Sequence, residues 1–231
     1  MPTTPSHVRP PAVAGRFYPG DAEQLEAEVR RYLNAAQAPD DCLAPPQVKA
    51  IIAPHAGYVY SGPIAATAYV HLACSDIPVR RFVLVGPAHY VPLRGLAVSS
   101  ADAFLTPLGR VPVDAEGRQA ALASRWVRVD DHAHQPEHCL EVQLPFLQVL
   151  FPDFSIVPLL VGDAAADEVA DALERLWGGP DTRIVISSDL SHYYRGDVAR
   201  QLDAETAAPI VALDAPALRE DAACGREPLA G

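Results

Sequence analysis

The chain has 231 residues, enough for one large α/β domain or two small ones with a real core. A hydrophobic share of 49% and a charged share of 20% are those of an ordinary globular protein, and a formal charge of -11 argues against general binding to nucleic acid or anionic lipid. No run of about 18 apolar residues marks a membrane span, and the polar start Met1–Pro11 lacks a signal-peptide core, so a cytoplasmic protein is expected.

Residues 1–20 read as an extended arm ending in Phe17-Tyr18-Pro19-Gly20. Asp21 is placed to cap a helix over 22–35, with Leu25, Val29 and Leu33 at fourfold spacing on one face. Residues 36–47 form a proline-containing linker. A strand over 49–53 ends at Pro54, which cannot donate to a central ladder. Residues 55–62 read as a loop, and Ser61-Gly62-Pro63 opens a helix through Leu72. A fully apolar strand at 82–85 has the look of one covered on both faces, and a short strand at 95–99 follows. Asp114 precedes a helix ending near 125, then comes a strand at 126–129. The polar segment 130–138 reads as a flexible loop feeding an amphipathic helix at 140–150, despite Pro145. A strand at 155–161, a helix at 165–177, a strand at 183–187 and helices at 197–213 and 216–222 complete the chain. This alternation predicts an α/β sandwich with a largely parallel sheet, in one domain spanning 1–231.

Three of these strands end alike. Ile51-Ile52-Ala53 leads to Pro54-His55, Val83-Leu84-Val85 leads to Gly86-Pro87-Ala88-His89, and Val185-Ile186-Ser187 leads to Ser188-Asp189-Leu190-Ser191-His192. Ligands of open α/β sheets bind outside the carboxyl ends of the strands. One strand-end histidine is ordinarily a hydrogen-bonded loop residue; four such groups on three strand ends predict a shared site, provided the strands are neighbours. Two imidazoles with one anionic ligand make a three-ligand metal site suited to iron(II) or zinc. Cys224 is a candidate for the anion, although a lone cysteine is more often a small apolar core residue. Asp189 reads equally as a cap of the next helix or as the group that orients His192 for acid–base work. His138 and Glu141 are three apart and share a face if the helix begins that early. His132 and His134 read as solvated loop residues, and His7 and His71 as structural or surface groups. The four cysteines, Cys42, Cys74, Cys139 and Cys224, have no C-x-x-C spacing and default to free thiols in a reducing compartment.

Seven stretches carry a resemblance: PAVAGRFYPG at 11–20, APHAGYVYSG at 53–62, GPAHYVPLRG at 86–95, TPLG at 106–109, EHCLEVQLPFLQ at 137–148, SSDLSHYY at 187–194 and CGREP at 224–228. In this order and over nearly the whole chain, the sequence resembles the Memo-like family, also called AmmeMemoRadiSam system protein B. That resemblance implies a fold similar to the class III extradiol non-haem iron dioxygenases, with a mixed, mostly parallel sheet between helices. It also implies a metal site of His55, His89 and Cys224, the cysteine replacing a carboxylate. Asp189 and His192 match further pocket positions, His192 where the dioxygenases keep an acid–base histidine. His138, Glu141 and Tyr58 fall in family motifs, in the pocket or directly behind it. Family members usually continue for tens of residues past the CGR motif, a segment not found in this chain.

The reading is therefore a metal-binding protein, with iron(II) expected and copper or zinc as alternatives, and a dioxygenase-like pocket that takes a small molecule or peptide. Two rivals stand beside it. One is a non-enzymatic metal-handling or partner-binding protein acting with the radical-SAM and AMMECR-type proteins that the family name implies. The other is a metal-free thiol hydrolase with Cys224 as nucleophile, His192 as base and Asp189 as orienter.

Overall fold

The structure is a computed structural model that describes residues 7–36, 48–74, 77–219 and 223–231. In chain order its elements are β1 (Val8–Arg9), α1 (Ala22–Ala35), β2 (Ala50–Ala53), α2 (Tyr58–Ala73), β3 (Arg81–Pro87), β4 (Leu96–Val98), β5 (Ala103–Thr106), β6 (Gly109–Pro112), α3 (Ala115–Leu122), β7 (Val127–Val129), α4 (Asp131–His134), α5 (Leu144–Leu150), β8 (Ser155–Val161), α6 (Ala166–Leu176), β9 (Thr182–Ser187), α7 (Gly196–Ala212) and α8 (Arg226–Ala230). Six strands form the main sheet in the order β2-β9-β3-β8-β4-β7. The first four run parallel; β4 is antiparallel to β8 and parallel to β7. The expected mixed α/β architecture is therefore the one observed. Among the described residues no helix is long and apolar enough to cross a membrane.

Successive strand residues point to opposite faces, so β3 feeds two cores. Phe82 and Leu84 pack with Leu25, Val29, Tyr69 and Phe146 of α1, α2 and α5. Val83 and Val85 pack with Ala121 of α3 and with Val169, Ala172 and Leu176 of α6. Covering on both faces is why this strand carries no polar alternation.

Local signals account for most boundaries. The Asp21 side chain accepts the Gln24 N–H at 3.0 Å, fixing the start of α1. Asp114 does the same for α3 through Gly117 N. Elsewhere the structure corrects the sequence reading. Residues 58–62 are helix, not loop: Gly57 O accepts the N–H groups of Tyr60 and Ser61, and Tyr58 is driven into the core. Pro63 thus sits inside α2, where its missing N–H leaves a carbonyl on the exposed Val59 face open to water. Pro145 sits in the first turn of its helix, where its missing N–H costs nothing, so α5 begins at Leu144 and residues 141–143 tighten into a 3-10 turn. The expected helix at 216–222 is one 3-10 turn, Ala215–Ala217, and residues 220–222 lie outside the described ones. A second, three-stranded sheet, β1-β5-β6, was not expected. Cys74 is disulfide-bonded, which corrects the expectation of four free thiols; Cys42 lies outside the described residues.

Candidate metal centre

Strands β2, β9 and β3 are consecutive neighbours and parallel, as a shared strand-end site requires. Each delivers its side chain two residues past its last strand residue: His55 after Ala53, Asp189 after Ser187 and His89 after Pro87. The imidazoles of His55 and His89 meet edge to face with centroids 5.1 Å apart, and that of His138 lies 5.4 Å from the first and 4.8 Å from the second. Ring nitrogens of all three lie within 4.8 Å of one another.

Cys224 reaches this group from the other side. Its Sγ is 3.2 Å from His55 Nε2, and with His89 it lines one cavity. The Asp189 N–H donates to the same sulfur at 3.2 Å. The chain can come this close because position 225 is glycine: a Cβ there would lie 2.6 Å from Ser188 Cβ, and the Gly225 N–H donates to Ser188 Oγ. Burial alone would raise the Cys224 pKa, but the neighbouring His55 and His89 imidazoles outweigh it and lower the thiol to about 6. For His89 burial pulls downward, and Cys224 and Glu137 together carry the imidazole up to about 9. The two shifts reinforce each other, drawing Cys224 toward thiolate and His89 toward imidazolium.

The residue that sequence reading passed over is Glu137. It is 3% exposed and its carboxylate is saturated by donors. Oε2 accepts the His89 N–H at 2.6 Å; Oε1 accepts His89 Nδ1–H at 2.9 Å and the N–H groups of His138 and Cys139 at 2.9 and 3.0 Å. Burial would raise its pKa, but His138 and His89 hold it well below the usual carboxylate range. With Nδ1 bound to a carboxylate, His89 turns Nε2 inward. His138 Nδ1 lies 3.0 Å from the same oxygen but out of line, and no hydrogen-bond partner reaches it.

Two groups of side chains among the described residues have the spacing to hold a metal ion: His55, His89 and His138, and His89, Glu137 and Cys139. The second fits poorly. Glu137 is already filled by N–H donors, and Cys139 is a buried thiol bonded to Pro87 O, with burial pushing its pKa up. The first fits well: imidazole nitrogens, one of them unpartnered, beside a thiolate are a donor set for zinc, iron or copper.

The other expected site residues divide between the cavity, its support and the arm. Asp189 does not cap α7, whose N-cap is Arg195. Its Oδ1 accepts the His55 N–H at 2.7 Å and its Oδ2 lies 3.2 Å from His192 Nε2. Burial opposes ionisation of Asp189, yet His55 and His192 lower its pKa. His192 is 43% exposed and, with Cys224, lines a cavity of about 430 Å³ beside α7. A second cavity of about 770 Å³ opens on the other side of Cys224, against His89. Glu141 does not share a face with His138. It turns away to bind Arg9 at 2.7 Å, the N–H groups of Ala12 and Val13, and Tyr18 Oη. Tyr58 is buried behind the site, its hydroxyl on Val142 O at 2.7 Å. His134 is not solvated: it is buried, with Nε2 3.0 Å from Ala97 O, and burial lowers its pKa to about 4. His132 is exposed, as expected.

Fold and site together define an α/β protein with a candidate imidazole–thiolate metal centre at the carboxyl edge of its parallel strands. Residues 9–229 match the Memo-like protein family. The chain is 41% identical over 229 residues to a MEMO1 family protein of Ignicoccus hospitalis, covering 92% of this chain and 79% of that one. It is 42% identical over 201 residues to a MEMO1 family protein of Aquifex aeolicus, covering 85% and 72%. A third such protein, from Nitrosopumilus maritimus, is 34% identical over 213 residues, covering 90% and 77%. The chain belongs to the Memo-like family.

Proposed function

We propose that this protein, read as one domain over 1–231 acting in the cytoplasm, holds a metal ion through His55, His89 and Cys224. Iron(II) is the first choice, with copper or zinc as alternatives, and the substrate is a small molecule in the adjoining cavity. The observation that carries this reading is the 3.2 Å approach of Cys224 Sγ to His55 Nε2, with the His89 ring centroid 5.1 Å from that of His55. A bound ion would supply Lewis acidity and, if iron or copper, one-electron chemistry in a dioxygenase-like pocket. The thiolate, a stronger electron donor than a carboxylate, would soften that acidity. Asp189 orients His192, which can give or take a proton at the cavity wall. Metal content after anaerobic purification tests the ligand set. The native protein is expected to carry stoichiometric metal and Cys224→Ser far less; full occupancy in the variant removes Cys224 from the set.

The depressed thiol pKa favours a second reading, the metal-free thiol hydrolase. Alkylation separates the two. In metal-free protein the labelling rate of Cys224 should rise with a midpoint near pH 6, because the thiolate form predominates above that value. Under the metal reading, zinc or iron(II) should suppress labelling and a chelator restore it; labelling indifferent to both supports the hydrolase. The buried Cys139 should stay slow throughout. The non-enzymatic reading, with radical-SAM and AMMECR-type partners, rests on the family resemblance. Turnover of an aromatic diol together with a pull-down that captures no such partner would exclude it.

A further inference from the structure

We infer that Ser187 and Gln143 are positioning residues that hold His55 in its Nδ1–H tautomer, so that the Nε2 lone pair faces Cys224 and the ion proposed to sit there. This rests on the metal-site reading of His55. The inference follows from counting protons along a buried chain of hydrogen bonds. Ser187, Gln143, His55 and Tyr69 are all 2% exposed or less, so water does not enter the count.

The Ser187 hydroxyl has one proton and two lone pairs. It donates to Cys139 O at 2.7 Å, a carbonyl that can only accept. Two contacts remain, both at 2.9 Å: Gln143 Nε2 and His55 Nδ1. With its one proton committed, the oxygen can only accept from each, so Nδ1 of His55 must carry hydrogen.

The amide that shares this oxygen is itself oriented from both ends. Its Nε2 also donates to Pro54 O at 3.1 Å, and its Oε1 accepts the Tyr69 hydroxyl at 2.9 Å. A flipped amide would set oxygen against two acceptor-side contacts and NH₂ against the Tyr69 hydroxyl. Hydrogen-bond polarity therefore runs without a free choice from Tyr69 through Gln143 and Ser187. Glycine at 86 permits the packing: a Cβ there would lie 2.8 Å from Cys139 Sγ and 3.1 Å from Ser187 Cβ. The consequence falls on the other ring nitrogen. A bare Nε2 lone pair 3.2 Å from sulfur needs a proton or a cation between them. His89 reaches the same orientation by a different route, through the Glu137 carboxylate. The two imidazoles are thus held by unlike partners, a neutral hydroxyl and an anion, and of the two His89 is the stronger donor.

The test uses full-length protein labelled with ¹⁵N-histidine. Long-range ¹H–¹⁵N correlation spectra should show hydrogen on Nδ1 of His55 in the metal-free protein, whether the proton shared with Cys224 rests on Nε2 or on sulfur, and on Nδ1 alone once zinc is bound. Ser187→Ala should turn this signal into a mixture of tautomers and weaken zinc binding about 10- to 100-fold, and Gln143→Leu should shift both in the same direction. A merely structural role would leave the tautomer pure. An Nε2–H tautomer in the unaltered protein overturns the inference without recourse to any variant, even if zinc binds. The Nδ1–H tautomer in a protein that binds neither zinc nor iron(II) leaves the positioning intact and defeats the metal reading instead.

Discussion

Replacing Glu141 with alanine is expected to cost about 3–5 kcal/mol of stability, the range for breaking a buried ion pair from one side. Glu141 is fully buried and Arg9 is 5% exposed, so the guanidinium would be left charged without its carboxylate. The same carboxylate also anchors the N-terminal arm through Ala12 N, Val13 N and the Tyr18 hydroxyl, at 2.7, 3.0 and 2.7 Å. Each donor left without a partner adds about 1–3 kcal/mol at most, and these costs overlap. Against a total of about 5–15 kcal/mol for a typical domain, the variant should sit near the edge of folding. Arg9 also donates to His134 O and Glu137 O. Loosening it therefore disturbs the loop that carries Glu137. Urea titration of Glu141→Ala and of the double variant Arg9→Met/Glu141→Leu checks the argument. The double variant should lose less than the single one, because it leaves no stranded charge. A single-variant loss under about 1 kcal/mol would mean that the pair is not the anchor described.

The placement of Glu141 shows where a sequence can and cannot be read. Motif membership put it in or behind the pocket, yet spacing alone could not tell which way its carboxylate points. The 3-10 turn at 141–143 rotates it away from His138 and toward an arm more than a hundred residues earlier in the chain. Strand-end histidines were legible because an apolar run followed by proline or glycine marks a strand and its end by local chemistry. That β2, β9 and β3 are neighbours was a condition the sequence left open, because strand order is set by non-local pairing. The hairpin of β5 and β6 was missed: it joins β1 of the N-terminal arm, and that partner is non-local. Glu137 was missed for a similar reason. In a polar stretch a carboxylate reads as solvated until the chain turns back and sets four donors around it. The same stretch hid His134, whose partner Ala97 O belongs to β4.

Replacing His89 with alanine is expected to lower metal affinity by more than about 100-fold, and Glu137→Gln by about 10- to 100-fold, the usual cost of losing the partner that orients a ligand. The ordering follows from what each change removes. Alanine deletes a nitrogen donor outright. Glutamine keeps one oxygen for the His89 Nδ1–H but sets an NH₂ against an N–H that Oε2 now accepts, so the imidazole is tilted and loses its anionic partner. Fluorescence or calorimetric titration of the metal-free proteins with zinc or cobalt(II) measures both, and far-UV circular dichroism verifies the fold. The Glu137 change should also slow alkylation of Cys224 near neutral pH. The carboxylate helps keep His89 protonated, and protonated His89 is one of the groups that lower the thiol pKa. Coupled losses in metal affinity and thiol reactivity would tie Glu137, His89 and Cys224 into one electrostatic unit. Unchanged affinity in His89→Ala would remove that histidine from the ligand set and leave His55, His138 and Cys224 as the donors to be tested next.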